Sequence, residues 1–517
     1  MHQFKSLLFL VFTAFLAHSA QATHVMGSDV FYKHLSGMKY EITLKFYRDC
    51  GGVPFANPSS SSRIRCVGGA TQSLSLSLKS IRDITPLCKS AAKPCDPANT
   101  FGTGDGMEEH VFVDTIDFAQ APFSNLLNCG NELVIETGQC CRNSGITTGP
   151  ANNNFYTFAA MHFDVQNETN STPIFQVLPV FKTMLNQPLI YALGAIDTID
   201  YDSLSFEFGN PLSGYNTPIL FDSGFSTTKP FDAFWPVGTS FPFSNPNFSP
   251  PIGIHLDPKT GVLSTTPITP NQVPVMVIIV KEWRKDSTGT PKIISETRRD
   301  VQFSIETMPS NRVPEIVFDT TSAYQVGVAG CVSFTISDQV VIPPPPLPTP
   351  THHDTLDVML VGANSHLTFN IDSTVYGTSS LTTKVYGKIC YDSVWASNGD
   401  NTLYLYARDN HCPWNAEVSK GIFIDFPGGT ASSFNVQKTI DVKVYPNPAE
   451  SRLFIEFPEN QKVVELNLIN ATGQIVKAIQ LHHGKTISFD VSSCNSGIYF
   501  IYILTEKGSA TKRVVIK

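Results

Sequence analysis

Apolar side chains recur at every second position through much of this chain, and that period restricts those segments to half-buried strands. In Tyr40-Glu41-Ile42-Thr43-Leu44-Lys45-Phe46 the apolar residues alternate with polar ones, and Leu74, Leu76 and Leu78 alternate with Ser73, Ser75 and Ser77. Leu403, Leu405 and Ala407 share one face of a later segment while Tyr404 and Tyr406 share the other. A period of two sets one face on a core and the other outward, as antiparallel sheets require. Gly, Pro, Asn and Asp clusters between the runs supply turns, and no stretch sustains a helical period. The expected fold class is all-β, a row of sandwiches. Charge then narrows the function classes. Charged residues make up 15% of the 517 and the net charge is −8, so the chain lacks the basic footprint of a nucleic-acid binder.

The first residues set the destination. Lys5 precedes the apolar run 7–17, and small residues follow to Ala20-Gln21-Ala22. A short positive region, an apolar core and an A-x-A site predict a secretory signal peptide over 1–22. A membrane anchor would need about 20 apolar residues. No later stretch is long and apolar enough to span a bilayer, so the expected product is secreted or held at the cell surface without a transmembrane helix.

Export gives the eleven cysteines a meaning. Cys50, Cys66, Cys88, Cys95, Cys129, Cys140 and Cys141 form one group, Cys331, Cys390 and Cys412 a second, and Cys494 stands alone. In an oxidising compartment the two groups predict disulfides, and no C-x-x-C pair suggests zinc. Adjacent Cys140 and Cys141 are expected to take different partners. Each group holds an odd number, so each keeps a free thiol or a bridge crosses between modules.

Pro-rich joints at 172–179 and 310–314 and a Gly/Ser stretch at 427–435 divide the chain. The expected units are a disulfide-rich domain at 23–180, a sandwich at 181–308, a second at 309–428, a linker at 429–440 and a last domain at 441–517. A weak repeat links the two middle units. Ile196-Asp197 followed by Asp202-Ser203-Leu204 corresponds to Ser337-Asp338 followed by Asp354-Thr355-Leu356. Each unit later carries an apolar strand ending in charge, VMVIIVKEWR at 275–284 and LYLYARDN at 403–410. The insert at 340–353 predicts a stiff polyproline loop.

The last segment runs through Tyr445-Pro446-Asn447-Pro448, the turn at Gly473, the strand opening Gly497-Ile498-Tyr499, and Lys512-Arg513 near the end. This order resembles the C-terminal sorting domain of the Bacteroidetes type IX secretion system. The resemblance implies recognition by the outer-membrane translocon, removal of the domain, and release or attachment to surface lipopolysaccharide. Residues 23–27, Tyr40 to Cys50 and Cys140-Cys141-Arg142-Asn143 resemble the front end of gliding- and adhesion-associated surface proteins of that phylum, which carry PKD or other immunoglobulin-like repeats. Arg48-Asp49 and Arg142 are expected to form an ion pair there. The second unit resembles a cadherin-like or PKD-like repeat, whose family motif D-x-D-G-D-S-L can ligate calcium. Here Asp200 and Asp202 match, Asp197 is offset by one residue, and Tyr201 replaces the glycine. The resemblance implies calcium at Asp197, Asp200 and Asp202; the alternative is a solvated acidic turn, because three carboxylates alone do not fill a shell of six to eight oxygens.

Reactive constellations are hard to find. There is no G-x-S-x-G elbow, H-E-x-x-H helix or P-loop, and Gly102, Gly104 and Gly106 lack the strand-to-helix setting of a phosphate cradle. No catalytic residue is assigned. The aromatic loop at 231–251 carries Phe231, Phe234, Trp235, Phe241, Phe243 and Phe248, either tucked under its own sandwich or offered to sugar rings or a protein partner. The expected function is a non-catalytic structural or adhesive surface protein. Glycans, lipopolysaccharide and matrix or surface proteins are its candidate ligands. The alternative is a secreted hydrolase or its carbohydrate-binding accessory, whose paired carboxylates can come from distant strands.

Overall fold

Tyr40, Ile42, Leu44 and Phe46 are completely buried on one face of the strand Lys39–Asp49, the alternation expected of a half-buried strand. A computed structural model describes residues 25–424 and 442–517, apart from 53–56, 89–90, 92–93, 97–105, 130–131, 150, 287, 309–310, 320–323, 342–351, 378–380, 398–400, 471–474 and 506–507. The signal peptide, the linker at 429–440, most of the Pro-rich insert and Gly102 and Gly104 lie outside the described residues. The architecture is all-β, with seven sheets and three short 3-10 turns among the described residues, and no described helix is long and apolar enough to cross a membrane.

The largest sheet has thirteen strands and crosses the expected boundary at residue 180. Its main path runs from Thr71–Ser73 through Ser62–Cys66, Leu133–Gln139, Phe155–Met161, Pro291–Gln302, Val25–Ser36, Lys39–Asp49 and Met107–Asp117 to Ser77–Asp83. Pro291–Gln302 belongs in sequence to the second unit, yet one of its edges pairs in succession with two strands of the first. Ser295, Glu296 and Thr297 pair with Met161, Ala160 and Ala159, and Arg299, Asp300 and Val301 pair with Asp29, Ser28 and Gly27. Along its other edge it pairs with Val275–Lys285, which in turn pairs with Ser203–Gly209. The first two units therefore interlock and share a core. Met26, Phe31, Tyr47 and Met107 pack with Phe175, Phe206, Phe231, Ile278 and Phe303.

Arg142 and Arg48 also differ from expectation. Arg142 forms a buried bidentate pair with Asp300, at 2.9 and 2.6 Å, and Arg48 pairs with Glu108 at 2.7 Å. Asp49 accepts a bond from the Gly51 amide instead. The partners lie on strands distant in sequence, so local spacing does not reveal them.

The third unit is a sandwich. Glu315–Phe318, Gly330–Gln339, Thr382–Tyr391 and Leu367–Tyr376 form one sheet, and Leu356–Val361, Asn401–Asp409 and Glu417–Ile424 the other. Val332, Phe334, Ile336, Ile389, Leu403 and Leu405 fill the space between. This sandwich docks on the second unit and on the last residues of the first. Tyr404 donates from its hydroxyl to the Thr260 carbonyl, Ser419 is bonded to both the amide and the carbonyl of Ala192, and the Gly362 amide donates to Gln176. Gly362 has φ +80°, which strains any other residue, and a Cβ there would lie 2.0 Å from Ile196 Cδ1 and displace it.

Five disulfides use ten cysteines: Cys50–Cys95, Cys66–Cys129, Cys88–Cys412, Cys140–Cys141 and Cys331–Cys390. The odd counts resolve through Cys88–Cys412, which joins the first unit to the third across 324 residues of sequence. Cys140 and Cys141 pair with each other and not with separate partners, since every other cysteine of their unit is engaged elsewhere. Cys494 is free and half-buried against the core of the last domain.

Candidate functional site

The acidic bend Asp197–Asp202 follows the short strand Ala195–Ile196 and leads into Ser203–Gly209. The Asp197 carboxylate closes the bend by accepting from the amides of Ile199 (3.0 Å), Asp200 (3.0 Å) and Asp202 (2.6 Å). Tyr201 sits at its tip with φ 58° and 72% exposure. Arg284, at the end of the neighbouring strand, grips Asp202 with two bonds of 2.8 and 2.6 Å, donates to Asn170, and lies 3.8 Å from Asp200. Asp200 in turn accepts from the Ser171 amide at 2.7 Å.

The third member of the acidic group is one the sequence pattern did not single out. Glu282 lies opposite Leu204 in the strand pairing and is completely buried. One of its carboxylate oxygens accepts from Asn170 at 3.0 Å, while Oε1 makes no close hydrogen bond and the Ser295 hydroxyl acts on the carboxyl from farther off. Ligand atoms of Asp197, Asp202 and Glu282 all lie within 4.8 Å of one another. Asp200 is outside that group, so the structure exchanges one expected residue for Glu282. Burial raises the Asp197 and Asp202 carboxyls above the ordinary range and Glu282 well above it. Asp200, Asp202 and Glu282 share one guanidinium, with Asp197 beside them, and this shortage of positive charge around buried carboxyl oxygens fits a hard cation. Only the tertiary pairing shows Glu282; its one sequence signal was the charge ending an apolar strand.

The third unit repeats this register with different chemistry. Leu356, two residues after Asp354, lies opposite Asp409 as Leu204 lies opposite Glu282. His411 stands where Arg284 stands, two residues further on, and its Nδ1 is 2.9 Å from Asp354 Oδ2. Asp338 and Asp409 are buried, and both Asp338 oxygens and Asp409 Oδ2 make no close hydrogen bond, the Gln339 amide acting on Asp338 and the Asn311 side chain on Asp409 from farther off.

The six residues of the aromatic loop divide. Phe231 is fully buried against Phe303, and Phe234, Trp235 and Phe243 are half-buried, with the Trp235 indole donating to the Phe243 carbonyl at 2.8 Å. Phe241 and Phe248 are exposed, and nearby Val237 is 93% exposed. The loop is therefore packed at its start and exposed at Phe241 and Phe248.

The last domain builds its sheet from Lys443–Tyr445, Arg452–Asn470, Ile475–Asp490, Gly497–Thr505 and Gly508–Ile516. Its opening motif is laced to its final strand. The Asn447 side chain donates to the Arg513 carbonyl at 3.1 Å and accepts from the Val515 amide at 2.8 Å, and Ala449 bonds with Val515 and Lys517. Tyr445 stacks on Phe454, while Pro446 and Pro448 are exposed around Asn447. Gly497 begins the strand in which Tyr499 is buried, its hydroxyl donating to Asn495. Lys512 is half-exposed and Arg513 exposed on the last strand. Gly473 lies outside the described residues.

Residues 443–517 match the family model of the secretion system C-terminal sorting domain. No curated protein matches the chain. Among solved structures, cadherin-like domains 1 to 4 of zebrafish RET are 12% identical, covering 79% of this chain and 87% of that one at a TM-score of 0.15. The Protocadherin GammaB4 extracellular domain is 11% identical over 94% of this chain and 72% of that one, at 0.14. A biofilm-associated protein BSP domain is 7% identical over 96% and 97%, at 0.13. TM-scores this low carry no argument about this chain. The sorting domain does: it marks the chain as type IX cargo, directed to the outer-membrane surface or secreted.

Proposed function

We propose that residues 25–424 are a non-catalytic cargo, structural or adhesive at the cell surface, delivered by the domain at 443–517. The observation that carries this reading is the pairing of that sorting domain with an interlocked, disulfide-joined β body that holds apolar side chains outward at loop tips. Tyr201, Leu220, Val237, Phe241 and Phe248 supply exposed apolar contact area, and aromatic rings that stay in water in the free protein gain most when a sugar face or protein surface covers them. Calcium at Asp197, Asp202 and Glu282 would hold the bend that carries Tyr201, by supplying the positive charge that Arg284 alone does not.

The test is binding of the exported, oxidised chain to immobilised glycans, lipopolysaccharide and matrix proteins, beside the F241A/F248A variant. Selective binding is expected, falling by at least about tenfold in the variant, since two exposed rings at a binding centre carry on the order of 1–2 kcal/mol or more. Turnover of a glycan by the wild-type chain would replace this reading with the hydrolase.

A further inference from the structure

The second and third units place their charges at equivalent register positions, yet only in the third is the cation at that position titratable. In the second, Arg284 remains charged at any physiological pH, and Glu282 is long enough to bring its carboxylate to Asp197 and Asp202. In the third, Asp409 is shorter by one methylene and His411 replaces the guanidinium with a titratable ring. Among the described residues no three ligand atoms of this second cluster come together as they do around Glu282. Asp338 is 3% exposed and Asp409 1% exposed. Carboxylates that act on one another out of water, with too few donors to hold two negative charges, are stabilised by a proton on one of them.

The cluster lies at the root of a docking loop. Asp409 Oδ1 accepts from the amides of His411 and Ala416, and the Asp409 amide donates to the Ala416 carbonyl, closing the loop 410–416 at its base. The outer part of that loop rests on the first unit. Cys412 is bonded to Cys88, the Cys88 amide donates to Pro413, the Asn415 amide donates to Pro86, and Leu87 bridges Trp414. Asn311, on the segment entering the third unit, donates to Trp414.

We propose that Asp338, Asp409 and the Asp354–His411 pair form a proton-held latch, which fixes the loop 410–416 and through it the docking of the third unit on the first. The charged groups acting on Asp338 are Asp409 and Asp354, each from a different segment, and His411. His411 faces the same three aspartates. Arg408, on the same strand as Asp409, pairs with Asp357.

Burial and then the charges of Asp409 and Asp354 push Asp338 up to about 7; burial pushes Asp409 up to about 6; and the bond to Asp354 raises His411. For the two acids, the stabilising proton is fully present below the unfolded carboxyl pKa near 4. It is lost as pH rises toward 7. For His411 the contribution is full below about 6.5 and lost as pH rises through its raised value. All three act in one direction: the latch closes at mildly acidic pH and loosens above neutrality. The Cys88–Cys412 bridge keeps the loosened loop tethered, so opening is reversible.

Hydrogen exchange of the full oxidised chain at pH 5.5 and pH 8, corrected for the intrinsic rate, tests the latch. Protection of the His411 and Ala416 amides is expected to fall by at least about tenfold at pH 8, the change one linked proton gives per pH unit, while the sorting-domain strands stay constant. D338N is expected to flatten this response, because the neutral amide needs no proton, and H411R to reduce it by restoring a permanent cation. H411R leaves Asp338 and Asp409 in place, so it remains informative if D338N does not fold. Equal protection at both pH values, or an undiminished pH response in a folded variant, would overturn the latch. So would calcium restoring protection at pH 8 in place of protons, and none of these outcomes bears on surface binding.

Discussion

Glu282 shows how much one buried atom can decide. Its Oε1 makes no close hydrogen bond, while Asp197 holds three amides, Asp202 holds Arg284, and Asp200 holds Ser171. An uncompensated buried charge is costly, and a cation beside it removes that cost. Calcium at a hundredfold excess over its Kd is therefore expected to stabilise the folded chain by about 2.7 kcal/mol, raising the melting temperature above that measured in chelator. E282Q is expected to abolish the difference while melting normally in chelator; an undiminished calcium shift in E282Q would remove Glu282 from the site. The aspartates of the bend stood out in the sequence. Glu282 did not, because its place depends on the partner strand opposite Leu204.

At the scale of the element, Pro291–Gln302 explains why the first two units do not separate at residue 180. Its sequence contains Thr297-Arg298-Arg299-Asp300, a pattern that suggests a solvated edge, yet Ile294, Ser295 and Thr297–Gln302 are all buried. The charges enter the core because each finds a partner. Arg299 holds Asp29 with bonds of 2.9 and 2.6 Å and donates to Tyr191 and the Val177 carbonyl, and Asp300 holds Arg142. Removing one partner leaves the other buried and unpaired, so R299M is expected to lose about 3–5 kcal/mol in urea unfolding. Because the strand is common to both units, amides of Lys39–Asp49 and Val275–Lys285 are expected to lose protection together. Loss confined to the second strand would mean that the units fold independently. The run Ser73 to Leu78 gives the opposite lesson. Leu74 and Leu76 are buried as expected, but Leu78 is 51% exposed. Residues 74–76 are a link between the strands at the two ends of the large sheet, so the alternation spans two elements.

At the scale of the whole molecule, residues 25–424 are joined by contacts and not strung as beads. The face of Tyr404 that the alternation leaves outward is covered by the second unit, and Val361 and Tyr404 enter the shared core. Cys88–Cys412 adds a covalent tie across that body. C88S/C412S is expected to lower the stability of the third unit by about 2–4 kcal/mol, seen as a separate, earlier transition of its Trp395 and Trp414 fluorescence in urea. A single unchanged transition would show that the noncovalent docking suffices.

The sequence by itself determined the all-β class, the exported destination and the sorting domain, because alternation, turn chemistry and the motif from Tyr445 to Arg513 are local patterns. It also singled out the aspartates of the bend at 197–202 and, in the third unit, Asp338 and Asp354. Only the tertiary structure decided which strands are neighbours, and therefore that Pro291–Gln302 is shared, that Arg142 pairs with Asp300, that Cys88 reaches Cys412, and that Glu282 and Asp409 complete the two clusters. The physical reason is common to all of these: a strand's residues fix which of its faces is apolar, but hydrogen bonding along its edges is available to any strand that the whole chain brings alongside.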